Sequence, residues 1–110
     1  MGIKFEVHRA SIELAKGYRQ VQKAGKEFAK GKVDSGVKHL NKAQDEFGSA
    51  SDNIAKAEDH AVAKAGTEID KGKSELAKAI AEYEKGHSDA AEMHFDNAID
   101  DFDKALDIID

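Results

Sequence analysis

Five histidines, His8, His39, His60, His87 and His94, are the side chains in this sequence best suited to special chemistry. There is no cysteine, so disulfides, thiolate metal sites and cysteine nucleophiles are excluded. His39 and His94 are 55 positions apart, and each precedes a core-type residue, Leu40 or Phe95. Both therefore fall on the flank of an apolar helical stripe, whereas His8 and His60 fall on outer faces. His87 comes seven residues before His94 and shares its flank, about 10 Å away along a helix axis. His39, His87 and His94 are thus the candidate metal ligands, and imidazole suits Cu, Ni or Zn. The plain alternative is a solvated surface histidine at each position. Chelation on one helix wants histidines three or four apart, and no pair has that spacing. The Glu-x-x-His pattern of di-iron bundles is absent too, since Gly36 and Ala91 stand three residues before His39 and His94.

The remaining polar groups point to no reaction. Asp96, Asp100, Asp101, Asp103, Asp107 and Asp110 offer oxygen ligands for a hard cation, but without the glycine of an EF-hand loop. Their stretch keeps an apolar heptad throughout, which reads as a solvated helix face. Ser88 alone adjoins a histidine, and it stands where a helix begins. No glycine-rich phosphate loop occurs. The expectation is a non-catalytic protein.

Gly86-His87-x6-His94-x3-Ala98-Ile99, preceded by Ala79-Ile80, resembles the repeat of the small metal-binding protein family. Gly31, His39 and Ala43 extend the match into the first half, with Lys32 in the place that corresponds to His87. That resemblance implies a short four-helix bundle holding copper, nickel or another divalent metal through His87, His94 and His39. The same stretch looks like a tetratricopeptide turn through Tyr83, Gly86, Asp89, Ala91, Phe95 and Ala98, although the period of 55 differs from that family's 34. His39-Leu40-Asn41-Lys42 resembles the phosphoacceptor motif of histidine phosphotransfer domains, with Ala43 where that motif has glycine.

The elements that must position these residues are written twice. At an offset of 55 the chain repeats Gly17/Gly72, Glu27/Glu82, Gly31/Gly86, Asp34/Asp89, His39/His94, Phe47/Phe102 and Ile54/Ile109, among others. One 110-residue domain made by duplication of 1–55 into 56–110 is expected. Ile3, Val7, Ala10, Leu14, Gly17, Val21, Ala24 and Phe28 alternate spacings of four and three, a heptad seam for a helix over about 3–30. Gly17 and Gly72 lie on seams, either as points of close helix approach or as tolerated weak spots. Gly31 and Gly86 should close helices, and Asp34 and Asp89 should cap the next ones. The turns are short, so an all-α antiparallel four-helix bundle of two tandem hairpins follows.

Helices are expected near 3–30, 34–48, 53–85 and 88–109. The break at 48–53 is favoured by Gly48-Ser49-Ala50-Ser51-Asp52-Asn53, the poorest helix-forming run. The repeat itself would break the chain near Ala55–His60, and a continuous helix over 34–85 with exchange between two copies is the third option. The expected core is Val7, Leu14, Val21, Phe28, Leu40, Phe47, Val62, Ile69, Leu76, Phe95, Phe102 and Ile109.

Charge divides the halves. Residues 1–55 hold 10 Lys and Arg against 7 Asp and Glu, while residues 56–110 hold 7 against 15. Such a split favours self-association and a homodimer, and disfavours nucleic acid. No apolar run reaches the ~20 residues of a membrane span. Met1-Gly2-Ile3-Lys4-Phe5-Glu6 lacks a signal-peptide core and the Ser or Thr of a myristoylation motif, so a cytoplasmic protein is expected. Two functions fit: a divalent-metal-binding bundle, or a helical interaction or structural module with no ligand.

Overall fold

The computed structural model describes residues 5–109. Ile3, at the start of the first seam, and Asp110 lie outside that range. Four helices and no strand make up the described residues: α1 (Phe5–Ala29), α2 (Val33–Ala57), α3 (Ala63–Glu84) and α4 (Ser88–Ile109). They lie side by side in a body of 48 × 18 × 18 Å. α1 packs most extensively on α2 and α3 on α4; α2 also packs on α3, and α1 barely touches α4.

Two turns are built alike. Gly31 and Gly86 take φ of 77° and 81°, a left-handed conformation that glycine adopts without Cβ strain. The Lys32 amide donates to the Glu27 carbonyl at 2.8 Å, and the His87 amide donates to the Glu82 carbonyl at 2.9 Å. These bonds satisfy carbonyls that the helix ends would leave unpaired. Asp34 and Asp89 do not cap the following helices. Each sits inside a first turn, where its charge complements the helix dipole instead.

The break between the middle helices is at 58–62, not at 48–53. Tertiary contacts override the weak propensity of Gly48 to Asn53. Ala50, Ile54 and Ala57 continue the buried seam. The Ser51 hydroxyl donates to Asp70 at 2.8 Å, and the Asn53 amide donates to Glu13 at 2.6 Å. α2 therefore runs on until Glu58 turns left-handed at φ 49°, and the Asp59 carboxylate then accepts the Ala61 amide at 2.9 Å. A single helix over 34–85 is likewise not formed.

Small residues let the helices close in around two aromatic layers. Ala10, Ala24, Ala43, Ala50, Ala65, Ala79, Ala98 and Ala105 are fully or almost fully buried. In one layer Phe47 and Phe102 stack with ring centroids 3.6 Å apart. Each ring fills the space beside a glycine. A Cβ added at Gly17 would lie 2.5 Å from Phe47, and one at Gly72 would lie 2.5 Å from Phe102. Both glycines are points of close approach. In the second layer Phe28 stacks on Tyr83 at 3.7 Å. Ten of the twelve expected core residues are buried. The exceptions, Phe28 and Phe95, are half-buried because they lie at the turn end, along the open α1–α4 seam.

Candidate functional site

Each flank histidine is held within its own helix pair. His94, on α4, lies with Nδ1 2.6 Å from the Glu75 carboxylate of α3. An ionised carboxylate can only accept, so Nδ1 carries the proton in this contact. His39, on α2, makes the corresponding contact to the Gln20 side-chain oxygen of α1 at 2.7 Å. The two seats share one geometry, because each histidine comes 19 residues after its partner. Exposed His87 reaches Glu82 at 2.7 Å. His8 and His60 are exposed, His8 on the outer face of α1 and His60 in the turn between α2 and α3.

His39 thus belongs to the α1–α2 seam and His94 to the α3–α4 seam. The structure does not bring the three candidate ligands together. His87 and His94 do share surroundings, since both lower the pKa of Glu82, His87 chiefly through its hydrogen bond. No group of three or more His, Asp or Glu side chains placed to hold a metal ion occurs among the described residues.

Carboxylates line the α3–α4 seam beside them. The His94 hydrogen bond holds Glu75 below its usual pKa, and Asn97 adds a weaker hydrogen bond. Partial burial, helped by Glu68, pushes Asp101 up, while Lys104 opposes the shift. The sign differs because Asp101 gains like charge and loses water, whereas Glu75 gains a donor. On the sparse α1–α4 side, the Tyr18 hydroxyl donates to Asp103 and lies 3.3 Å from the Ile99 carbonyl oxygen. Burial, then the hydrogen bond and charge of Asp103, push that hydroxyl well above its ordinary value.

Sequence reasoning did not identify Gln20, Glu75 or Tyr18. The first two carried a usable signal, namely the same 19-residue spacing to His39 and His94 in both halves. Tyr18 carried none, because its matching position is Lys73. No protein-family model matches the chain, and neither a curated protein nor a solved structure matches it. Among the described residues no helix is long and apolar enough to cross a membrane.

Proposed function

We propose that the chain is an antiparallel four-helix bundle of two tandem 55-residue hairpins, acting as a non-catalytic module that associates with a second copy of itself. The observation that carries this reading is the charge on the two helices flanking the least closed seam. α1 has five Lys and Arg against three Glu, while α4 has one Lys against seven Asp and Glu. Two copies related by a two-fold axis lying in the plane of that face, parallel to the helices, would set each α1 against the partner's α4. Both contacts are then attractive, and the interface closes as a dimer. The duplication is supported by the contacts of Phe47 with Gly17 and of Phe102 with Gly72, each 55 residues from its counterpart.

Sedimentation at micromolar concentration tests the association. A dimer in about 20 mM salt that dissociates in about 500 mM salt is expected, because screening shortens the reach of surface charge. A monomer under both conditions overturns it.

Divalent metal binding is the second reading, favoured by the paired contacts His87–Glu82 and His94–Glu75 on one flank. A carboxylate on Nδ1 is the usual support for an imidazole that binds metal through Nε2. Further ligands would have to come from water or a second copy. Calorimetric titration with Cu²⁺, Ni²⁺ and Zn²⁺ on wild type and on a His87→Ala/His94→Ala variant decides it. Identical isotherms remove the reading.

A further inference from the structure

At the turn end of the α1–α4 seam, several residues depart from their counterparts 55 positions away. Gly25 stands where the second half has Ile80, and Ile80 packs against the core. Half-buried Phe95 stands where the first half has fully buried Leu40. Glu92 and Asp96 stand where it has Val37 and Asn41. These exchanges accompany a cavity of about 380 Å³ whose walls include Gly25, Phe28, Tyr83, Phe95, Glu92 and Asp96. The room at Gly25 is ample, since the nearest atom to an added Cβ is the Phe95 ring at 3.9 Å.

The wall chemistry is specific. Phe28 stacks on Tyr83, and Phe95 stands edge-on to Phe28 with centroids 6.3 Å apart at 88°. Glu92 and Asp96 are four residues apart on α4, so both carboxylates project from one helix face. Their field reaches the aromatic wall: after burial, they are the groups that hold the Tyr83 hydroxyl above its usual pKa. Aromatic faces attract cations through the ring quadrupole, and carboxylates attract them by charge. An anion would be repelled there, and a neutral apolar molecule would gain nothing from the acidic rim.

We propose that this cavity binds a small aryl- or alkylammonium cation, its charge beside Glu92 and Asp96 and its apolar body against Phe28, Tyr83 and Phe95. The site needs no second copy of the chain, but it opens on the α1–α4 face that self-association would cover, so binding is read at a protein concentration where sedimentation shows a monomer. The cavity falls at the lower end of the size range of small-molecule sites.

Heteronuclear NMR titration of the full chain with benzyltrimethylammonium, and separately with phenylacetate, tests the proposal. Saturable shifts around Gly25 and Glu92 are expected for the cation, with Kd below about 1 mM, and none for phenylacetate. Gly25→Ile copies the residue found at Ile80, should retain the fold, and should weaken binding at least about 10-fold by filling the space. Glu92→Gln/Asp96→Asn should weaken it by roughly 10-fold, with thermal unfolding reporting that the fold is kept. Equal binding of cation and anion overturns the proposal, and so does no binding at about 10 mM cation. Undiminished binding by either variant does the same. Sedimentation of the same samples reads association separately, so the failure of one idea is not mistaken for the failure of the other.

Discussion

His39 and His94 sit in matching seats whose main difference is one group: an amide at Gln20 in the first, a carboxylate at Glu75 in the second. A few residues away in each half, Gly17 against Phe47 and Gly72 against Phe102 do not differ at all. The contrast separates two kinds of constraint. A ring 2.5 Å from where a Cβ would stand must shift before a larger residue fits, and the close approach is the same at both positions. A half-exposed flank can exchange an amide for an acid at small energetic expense, and there the halves diverge. The two lateral seams diverge further. Gln44 donates to the Lys73 carbonyl at 2.9 Å between α2 and α3, whereas α1 and α4 are linked through Tyr18 and Asp103.

The largest effect should come from the shared layer. Phe47→Ala and Phe102→Ala should each cost ~3–5 kcal/mol, read by chemical denaturation, because both rings are fully buried. Since the rings stack at 3.6 Å, a double-mutant cycle should show a coupling of ~0.5–1.5 kcal/mol. Strict additivity would mean that the halves do not meet at this layer. Next come Gly17→Ala and Gly72→Ala. Overpacking costs ~1–3 kcal/mol and the gain in helix propensity returns about 1 kcal/mol. A net loss of up to about 2 kcal/mol, alike in both variants, is the expected result. A clear difference between the two would show that the packing is not shared.

Much of this was legible in the sequence, because heptad spacing and an offset of 55 report packing directly. The seams, both glycine closures and the phase of His8, His39 and His94 could all be read there, whereas His60 and His87 fall in turns. The middle turn could not be read from local propensity. Gly48, Ser49 and Ser51 disfavour a helix in isolation, yet Ala50 and Ile54 are held by the core and Asn53 by Glu13. The offset of 55 pointed nearer to it, since the observed break at 58–62 overlaps the Ala55–His60 stretch where that offset would put one. The histidine partners were hidden for a different reason: Gln20 and Glu75 lie on neighbouring helices, and one-dimensional motif spacing does not display a cross-helix contact. The cavity beside Phe95 depends on how Gly25, Phe28 and Phe95 pack across two helices, which linear spacing does not display.

The turns offer a smaller test of the same contrast. Gly31 and Gly86 take positive φ freely, while Glu58 takes φ 49° with a Cβ attached. Glu58→Gly should therefore stabilise the chain by up to about 1 kcal/mol, and Gly31→Ala or Gly86→Ala should destabilise it by about the same amount. Thermal or chemical melts would show it. A destabilised Glu58→Gly variant would mean that the middle turn depends on the Glu58 side chain.

The smallest effect separates the two histidine seats by pH. Glu75 is held below its ordinary value of 4.5, first by the hydrogen bond from His94. A depressed carboxylate contributes stability that is present above that ordinary value and is lost as pH falls through the folded value. Gln20 has no proton to gain, so the seat at His39 supplies no such acid-dependent part. Wild type should therefore lose more stability than Glu75→Gln between about pH 6 and pH 3. The difference should be a few tenths to about 1 kcal/mol, since the pair is partly exposed and screened. The Glu82 carboxylate, lowered chiefly by its hydrogen bond to His87, adds acid dependence of the same sign to both proteins and cancels in the comparison. Gln20→Glu should install a matching loss at the first seat, turning the amide seat into a copy of the acidic one. Parallel stability curves for wild type and Glu75→Gln across that range would mean that His94 does not favour the charged form of Glu75. The two seats would then be electrostatically equivalent despite the amide-for-acid exchange.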